Sequence, residues 1–272
     1  MGYFQVSANI YYMIYDHEST TNTFNYLLDY RWHTGFPNSK YGQLQLEEKI
    51  ITLIDPQPGQ RVLDFGCGNG VVTGDYAIMC PNVKFIGVSN IKRDLKFADK
   101  VNKQRKITNV TFIYSNGEFK INLPDNSVDH IVFTESVCHV KSRQKLFAEF
   151  KRLIKPGGKI CGSDWFCRSG HIRNQIDCHY DTKLTTISGY DKIFRHLNLQ
   201  RIYGLKFSSI SKAVSGLELL NWLKYRRFSL SLPQINPENI KINKKLINAG
   251  KLINKAEKIG KFYIAVVCYK VN

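Results

Sequence analysis

Residues 61–70 read RVLDFGCGNG, a short apolar strand that ends at an acid and passes directly into a loop with glycine at every second position. Gly66, Gly68 and Gly70 have no Cβ, so the backbone can adopt positive φ there and a ligand can lie against it. The residues from Val71 onward can begin a helix, which places the loop at a helix N-terminus. This pattern of strand, loop and helix predicts a nucleotide-type binding turn.

Two common phosphate-binding loops are excluded by the spacing. A GxGxxG dinucleotide fingerprint would need glycine at Val71 or at Thr73, depending on the register, and neither is glycine. A P-loop is excluded because no Gly-Lys-Ser or Gly-Lys-Thr follows. A purely structural use of glycine in a strand-to-helix turn is the remaining alternative to ligand binding.

The remaining pattern, DxGxGxG after an apolar strand, resembles motif I of the class I S-adenosylmethionine-dependent methyltransferases. The resemblance implies a methyltransferase with S-adenosylmethionine as cofactor. It also implies that the loop holds this cofactor through Asp64, Gly66, Cys67, Gly68 and Gly70.

Strand and helix patterns alternate from Arg61 onward, as a doubly wound sheet requires. We predict an α/β, Rossmann-like sheet of seven mostly parallel strands, with an antiparallel last strand, an N-terminal helical cap and lid insertions. The predicted strands lie near 61–65, 83–88, 110–114, 128–134, 158–164, 200–208 and 262–271. The predicted helices lie near 71–79, 92–104, 142–153 and 238–259.

The chain is predicted to form one domain over residues 1–272. It divides into an aromatic-rich helical cap, a cofactor-binding core, a lid or substrate region, and a final helix and strand. Their expected bounds are 1–55, 56–165, 166–237 and 238–272. Residues 165–187 show no clear hydrophobic period, which favours an irregular lid there.

Polar residues directly after the strands are candidates for the site, because ligands bind beyond the carboxyl ends of parallel strands. The second strand lacks the acid that nucleotide folds usually place there for ribose hydroxyls, but Ser89 and Asn90 can hydrogen-bond a diol. Asn116, Gly117 and Glu118 follow the third strand. They either read an adenine edge or form a simple turn.

Residues 133–140 read FTESVCHV and follow the fourth strand, beside the expected position of the donated methyl group. With four further motifs, this stretch resembles the sterol C-methyltransferase-like branch, which includes prenyl-diphosphate enzymes. The resemblance covers about residues 15–165. The other motifs are WHTGF at 32–36, LPDNSVD at 123–129, RLIKPGG at 152–158 and SDWF at 163–166.

This resemblance also implies roles for individual residues. The 32–36 segment, with Gly35, contacts the methionine part of the donor in that branch. The Glu of the FTESVCHV motif, Glu135 here, is associated with deprotonation in prenyl-diphosphate enzymes and lies beside the donor.

Methyl transfer needs in-line approach of a nucleophile to a sulfonium methyl, so positioning and charge placement supply most of the rate. Aromatic faces stabilise a sulfonium by cation–π interaction, for which Tyr12, Tyr15 and Trp165 are candidates. Filling a hydrophobic core is the alternative for each. An alkene acceptor would need a carboxylate or His to remove a proton, and Glu135 and His139 are the candidates; for a hydroxyl acceptor, His139 suffices as general base.

The net charge of +17 is uneven, since residues 165–272 hold 19 of the 39 Lys and Arg but 6 of the 22 Asp and Glu. Such a bias attracts an anionic substrate, nucleic acid or a membrane surface. Arg168, Arg173 and Lys183 are available for an anionic headgroup. No basic run carries interleaved stacking aromatics, which disfavours nucleic acid.

Seven cysteines without a CxxC pair favour reduced thiols over a disulfide framework or a zinc site, and no metal site is predicted. No apolar run reaches the length of a membrane span and no signal peptide begins the chain, so a cytoplasmic protein is expected. The leading hypothesis is C-methylation of an isoprenoid alkene. The alternatives are O- or N-methylation of a small molecule and a nucleic-acid-binding protein that retains the fold.

Overall fold

The computed structural model describes His33 and residues 42–115, 120–207 and 244–272. The strands in these ranges are β1 (Arg61–Phe65), β2 (Lys84–Ser89), β3 (Val110–Tyr114), β4 (Val128–Thr134), β5 (Ile154–Cys167), β6 (Leu199–Phe207) and β7 (Phe262–Val271). The helices are α1 (Gly42–Ile54), α2 (Val71–Met79), α3 (Lys92–Gln104), α4 (Arg143–Leu153), α5 (His171–Tyr180), α6 (Ile187–His196) and α7 (Lys244–Lys258). A 3₁₀ turn, Val137–His139, follows β4.

The described strands form one sheet in the order β3-β2-β1-β4-β5-β7-β6. Strands β1 to β5 pair in parallel, and β7 runs antiparallel between β5 and β6. The predicted doubly wound sheet with an antiparallel last strand is confirmed. Because the chain order reverses between β1 and β4, the loops that follow these two strands leave the same edge of the sheet side by side.

Alternating residues of the central strands feed two separate cores. Leu63 and Phe133 lie in a cluster under α4 and α6, which contribute Phe147 and Phe194 among others. Val62 and Val132, one position away on the same strands, and α1 and α2 residues belong to the cluster on the opposite face. Alternate residues of these strands therefore make both faces of the sheet apolar, and helices cover both faces, as a parallel sheet requires.

Most predicted elements agree with the structure to within one residue. Strand β5 is longer than the predicted 158–164, because Ile154 already pairs with Val128 and the register then shifts, so that His130 pairs with Lys159. Residues 155–158 are therefore an irregularity inside the strand. Helix α7 covers 244–258 of the predicted 238–259, and residues 238–243 lie outside the described part of the chain.

The expectation of an irregular segment over 165–187 is wrong. Strand β5 continues to Cys167, and α5 follows from His171. The apolar stripe of α5 is narrow, with Ile172 and Ile176 as its buried residues, so it gives little periodic signal in the sequence. Those two side chains pack with Ile253 and other residues of α7 at the carboxyl end of β5, which explains how so polar a helix is held.

No helix within the described ranges is long and apolar enough to cross a membrane. The cytoplasmic location stays a prediction.

The contact between β4 and β5 leaves no room for a side chain at Gly162, where a Cβ would lie 2.0 Å from the Phe133 carbonyl oxygen. We expect Gly162→Ala to lower the free energy of unfolding by about 1–3 kcal/mol, because both strands are central and must separate. Urea denaturation measures the change. Gly204→Ala on the edge strand β6 is the control, because its Cβ would meet the flexible guanidinium of Arg201. Equal stabilities of the two variants would contradict this account.

Candidate functional site

The loop after β1 is tightly wound. Gly66, Gly68 and Gly70 have φ values of 74°, 51° and 71°, which are in the left-handed region that favours glycine. The backbone N–H groups of Gly66 and Cys67 both donate to the Val88 carbonyl of β2, at 2.9 and 3.0 Å. These bonds fix the start of the loop to the neighbouring strand and aim it across the carboxyl edge of the sheet.

Protein packing is one reason for the glycines. A Cβ on Gly66 would lie 2.4 Å from the Cβ of Ser136, in the turn after β4. A Cβ on Gly70 would lie 2.4 Å from the Cβ of Ala98, on α3. The sequence pattern favours close approach of a ligand as the reason for the missing Cβ atoms. At these two positions the neighbouring turn and helix already require glycine.

Asp64 is buried at the end of β1 and accepts a 2.5 Å hydrogen bond from the Thr73 hydroxyl of α2. Burial raises the pKa of this carboxyl to about 6, although the Thr73 hydrogen bond and the charge of His33 lower it. The side chain therefore ties the strand to the first turn of the following helix, across the glycine loop.

His33 belongs to the WHTGF segment and is buried against α1. Its Nε2 lies 2.9 Å from Glu47 Oε1, and its carbonyl accepts a 2.7 Å hydrogen bond from the Gln43 side chain. The charge of His33 lowers the pKa of Asp64, so His33 lies on the side of the sheet edge where the glycine loop begins. The remaining site candidates of the N-terminal segment and of the loop after β3 lie outside the described residues; these are Tyr12, Tyr15, Gly35, Asn116, Gly117 and Glu118.

The end of β2 carries the predicted Ser89 and Asn90. Ser89 is buried and its hydroxyl accepts a 3.2 Å hydrogen bond from the Ile91 backbone, whereas Asn90 is exposed. The structure adds Asp94, a buried carboxyl in the first turn of α3. Its charge contributes to raising the pKa of the Cys67 thiol in the glycine loop. The sequence signal for Asp94 was an acid in the first turn of the helix that follows the second strand.

Asp94 uses one of its two carboxylate oxygens for a contact with the protein and leaves the other without a donor among the described residues. Its Oδ1 lies 3.4 Å from the Arg93 guanidinium, but its buried Oδ2 accepts no hydrogen bond from any described residue. Burial raises the pKa of this carboxyl. A buried oxygen without a donor is costly, and a ligand hydroxyl at this point would satisfy it.

The turn after β4 holds Glu135 in the left-handed region, with φ 49°. Its backbone N–H donates to the Ser163 carbonyl at 2.8 Å, and its Oε2 accepts a 2.8 Å hydrogen bond from the indole N–H of Trp165. Next to it, the Ser136 hydroxyl donates to the Phe65 carbonyl at 2.7 Å. These bonds place Glu135 directly beside the glycine loop.

His139 lies one turn further on and faces the end of α5. Its Nδ1 is 3.3 Å from the Asp181 carbonyl oxygen. Burial lowers the pKa of this imidazole, although Asp164, Asp181 and the backbone of Tyr180 raise it. The ring is therefore neutral at neutral pH, a state in which it is able to accept a proton, and it fixes α5 to the turn after β4.

Asp164, near the end of β5, is fully buried, and each of its two oxygens accepts a hydrogen bond. Its Oδ2 accepts a 2.6 Å hydrogen bond from the Tyr190 hydroxyl of α6, and its Oδ1 accepts one of 2.9 Å from the Trp165 backbone. Burial raises the pKa of this carboxyl. The partner Tyr190 is far along the chain, and no local pattern in the sequence indicated it.

The three basic candidates lie just beyond this edge. Arg168 and Lys183 are exposed, and the backbone N–H of Lys183 donates to the Cys138 carbonyl at 2.8 Å, next to His139. Arg173 on α5 lies 3.8 Å from Asp177 in a partly exposed ion pair.

Comparison with known proteins gives one family. The profile of the methyltransferase domain family matches residues 56–198, more than half of the chain. A phosphoethanolamine N-methyltransferase of Triticum aestivum is 35% identical over 130 residues, which is 47% of this chain and 25% of that protein. A 24-methylenesterol C-methyltransferase of Arabidopsis thaliana is 26% identical over 121 residues, 44% of this chain and 33% of that protein. The chain thus aligns with a third or less of the length of these curated relatives.

The fold is shared with a solved structure over almost its whole length. Geranyl diphosphate C-methyltransferase from Streptomyces coelicolor, in complex with Mg²⁺, geranyl diphosphate and S-adenosyl-L-homocysteine, superposes with a TM-score of 0.72. The superposition covers 98% of both chains at 13% identity.

The raised pKa of Asp64 makes stability depend on pH. The unfolded carboxyl titrates near 4 and the folded one near 6, so the folded state binds the extra proton and the free energy of unfolding falls as pH rises between these values. Asp64→Asn removes this loss while keeping an acceptor for Thr73. We expect the stability of the variant relative to the wild type to rise by about 2–3 kcal/mol from pH 4 to pH 7.5.

Urea denaturation across this pH range measures the difference. Asp99→Asn, which removes an exposed carboxyl from α3, controls for the loss of one charge. A stability difference between Asp64→Asn and wild type that stays constant with pH would contradict the assignment.

Proposed function

The chain belongs to the methyltransferase domain family, and from that premise we propose that it transfers a methyl group from S-adenosylmethionine to a small organic acceptor. The class I S-adenosylmethionine-dependent methyltransferase family predicted from motif I is confirmed by the family match and by the sheet order. The activity, the acceptor and the residue roles below are proposals.

The residues at the carboxyl edge fit this cofactor. The loop at Gly66–Gly70 lies at the N-terminus of α2, between the ends of β1 and β2, where nucleosides bind in doubly wound sheets. The unpartnered Oδ2 of Asp94 matches a ribose hydroxyl, which is a donor, and Ser89 lies in the same region. When bound, the cofactor supplies an electrophilic methyl group on a sulfonium.

Further contacts follow from the family resemblance. We assign the methionine part of the cofactor to Gly35 and Tyr15, and the adenine to Asn116, Gly117 and Glu118. Asp64 supports the loop through its hydrogen bond to Thr73 in α2.

The acceptor that the site supports best is an isoprenoid alkene, methylated on carbon. The observation that carries this proposal is the Glu135 carboxylate, held at the carboxyl edge by the indole of Trp165, which itself packs against the rings of Tyr180 and Phe262. Methyl addition to an alkene leaves a carbocation, which is neutralised when a base removes a proton from the neighbouring carbon. A carboxylate next to an aromatic ring suits both needs, because aromatic faces stabilise the cation.

The basic residues beyond the site suit an anionic headgroup. Lys183 is exposed and its backbone bonds to Cys138, next to His139, and Arg168 is exposed directly after β5; both are available to a diphosphate. The Streptomyces coelicolor structure of the same fold contains geranyl diphosphate, which supports a prenyl diphosphate as the first acceptor to test.

N-methylation of a small amine is the second candidate. It is favoured by the 35% identity with the Triticum aestivum phosphoethanolamine N-methyltransferase, an enzyme named for an anionic amine. An amine or hydroxyl acceptor forms no carbocation; it loses the proton of the attacking nitrogen or oxygen. The neutral imidazole of His139 is then the base, and Glu135 takes a secondary role.

Donor binding tests the cofactor assignment at Asp94. We expect Asp94→Ala to weaken binding of S-adenosylmethionine roughly 10- to 100-fold, because a hydrogen bond between a hydroxyl and a carboxylate is lost. Isothermal titration calorimetry measures the affinity. Asp99→Ala, an exposed acid on the same helix, should bind as the wild type does. Unchanged affinity in a folded Asp94→Ala protein would remove this residue from the cofactor site.

Turnover of two variants distinguishes the acceptor classes. With an alkene acceptor, Glu135→Gln should lower turnover by roughly 10²- to 10⁴-fold at saturating donor, with donor affinity nearly unchanged, and His139→Ala should have the smaller effect. With an amine or hydroxyl acceptor, the order of the two effects reverses. A radiolabelled-donor assay with geranyl diphosphate, a sterol, phosphoethanolamine and a phenol measures both. Near-wild-type turnover in both variants would exclude both residues as the base.

A further inference from the structure

The indole of Trp165 is attached to the proposed base. Its Nε1 donates a 2.8 Å hydrogen bond to Oε2 of Glu135, while the backbone N–H of Glu135 donates to the carbonyl of Ser163. Ser163 and Trp165 are two residues apart on β5, so backbone and side chain of Glu135 are both fixed to the same strand. We propose that Trp165 is a positioning residue that orients the Glu135 carboxylate and keeps it ionised, which rests on the proposed role of Glu135.

The indole ring that donates this hydrogen bond is itself held by its neighbours. The ring of Trp165 packs edge-on against Tyr180, with centroids 5.2 Å apart and planes at 82°, and against Phe262, at 5.7 Å and 77°. Edge-to-face packing of this kind is favourable and restricts the ring. The two neighbours come from the end of α5 and the start of β7, so three separate parts of the chain fix the direction of one N–H bond.

This packing also links the two predicted bases. Tyr180 packs on Trp165, and the adjoining Asp181 carbonyl lies 3.3 Å from the ring nitrogen of His139. Glu135 and His139 are thus connected through Trp165 and the end of α5. A displacement of α5 would change the surroundings of both side chains together.

The chemistry of indole suits a supporting role. Its N–H group is a hydrogen-bond donor only and does not ionise at ordinary pH, so it does not compete for the proton that Glu135 takes. A hydrogen bond donated to a carboxylate favours the ionised form, which is the form a base needs. Without that bond, Glu135 would be protonated at a higher pH and its orientation would be less restricted.

The hydrogen bond is testable without any acceptor. The sequence has 3 Trp, so protein with ¹⁵N-labelled Trp gives three indole signals, and Trp165→Phe identifies the one from Trp165. At pH 7.5, Glu135→Gln should shift that indole proton upfield, because an amide oxygen is a weaker acceptor than a carboxylate. Glu48→Gln, an exposed acid on α1, should leave the signal in place. An unchanged Trp165 signal in Glu135→Gln would overturn the inference.

Kinetics tests the functional part, with geranyl diphosphate as the acceptor. Methylation of phosphoethanolamine but not of geranyl diphosphate would remove the base role of Glu135 and the positioning role of Trp165 with it. Trp165→Phe should lower turnover by roughly 10-fold or more at unchanged donor affinity, and the acid limb of its pH profile should move to higher pH. Added to Glu135→Gln, the same substitution should cause no further loss, because it acts through the missing carboxylate.

The outcomes separate the inference from the function on which it rests. If Glu135→Gln loses turnover while Trp165→Phe keeps the wild-type rate and pH profile, the positioning role is wrong and the base stands. If Glu135→Gln keeps full turnover, Glu135 is not the base, and the positioning role of Trp165 is then wrong too, whatever the indole signal shows. Equal losses from Trp165→Phe with and without the Glu135→Gln change would also overturn the inference.

Discussion

The hydrogen bond from the Ser136 hydroxyl to the Phe65 carbonyl joins the two loops on which the site depends. Strands β1 and β4 are parallel neighbours with Phe65 opposite Phe133, so the loops after them emerge side by side. Because Gly66 has no Cβ, its loop packs directly on Ser136. The glycine loop and the turn that carries Glu135 are therefore joined by a hydrogen bond and by direct packing.

Buried acids give this edge of the sheet an unusual electrostatic character. Asp64, Asp94 and Asp164 are all buried, and burial raises the pKa of each carboxyl. Hydroxyl donors offset the cost for two of them, Thr73 for Asp64 and Tyr190 for Asp164. Perturbed pKa values of this kind concentrate at functional sites. The overall charge of +17 therefore describes the surface of the molecule and not the interior of the site.

The family match does not by itself identify the acceptor. The match covers residues 56–198, from β1 to the end of α6, and this part contains the glycine loop and the turn after β4. Relatives with similar sequence or fold carry names that refer to nitrogen, sterol and prenyl acceptors. A shared fold does not fix the substrate, which depends on side chains around the reacting atom. In this chain, α7 and β7 lie at the same edge and beyond the matched range, and they contribute Ile253 and Phe262 to the packing around Trp165.

The sequence alone determined the features that depend on local backbone geometry. Strand β1, its glycine loop and the alternation of strands and helices follow from hydrophobic period and from positive φ at glycine, which neighbours in the chain impose. Tertiary structure decided how the predicted residues are used. It pairs Glu135 with Trp165, 30 residues away, and His139 with the carbonyl of Asp181, 42 residues away. It also buries one oxygen of Asp94 without a partner among the described residues. Such contacts depend on the order and register of the strands, which bring distant residues together and leave no periodic signal along the chain.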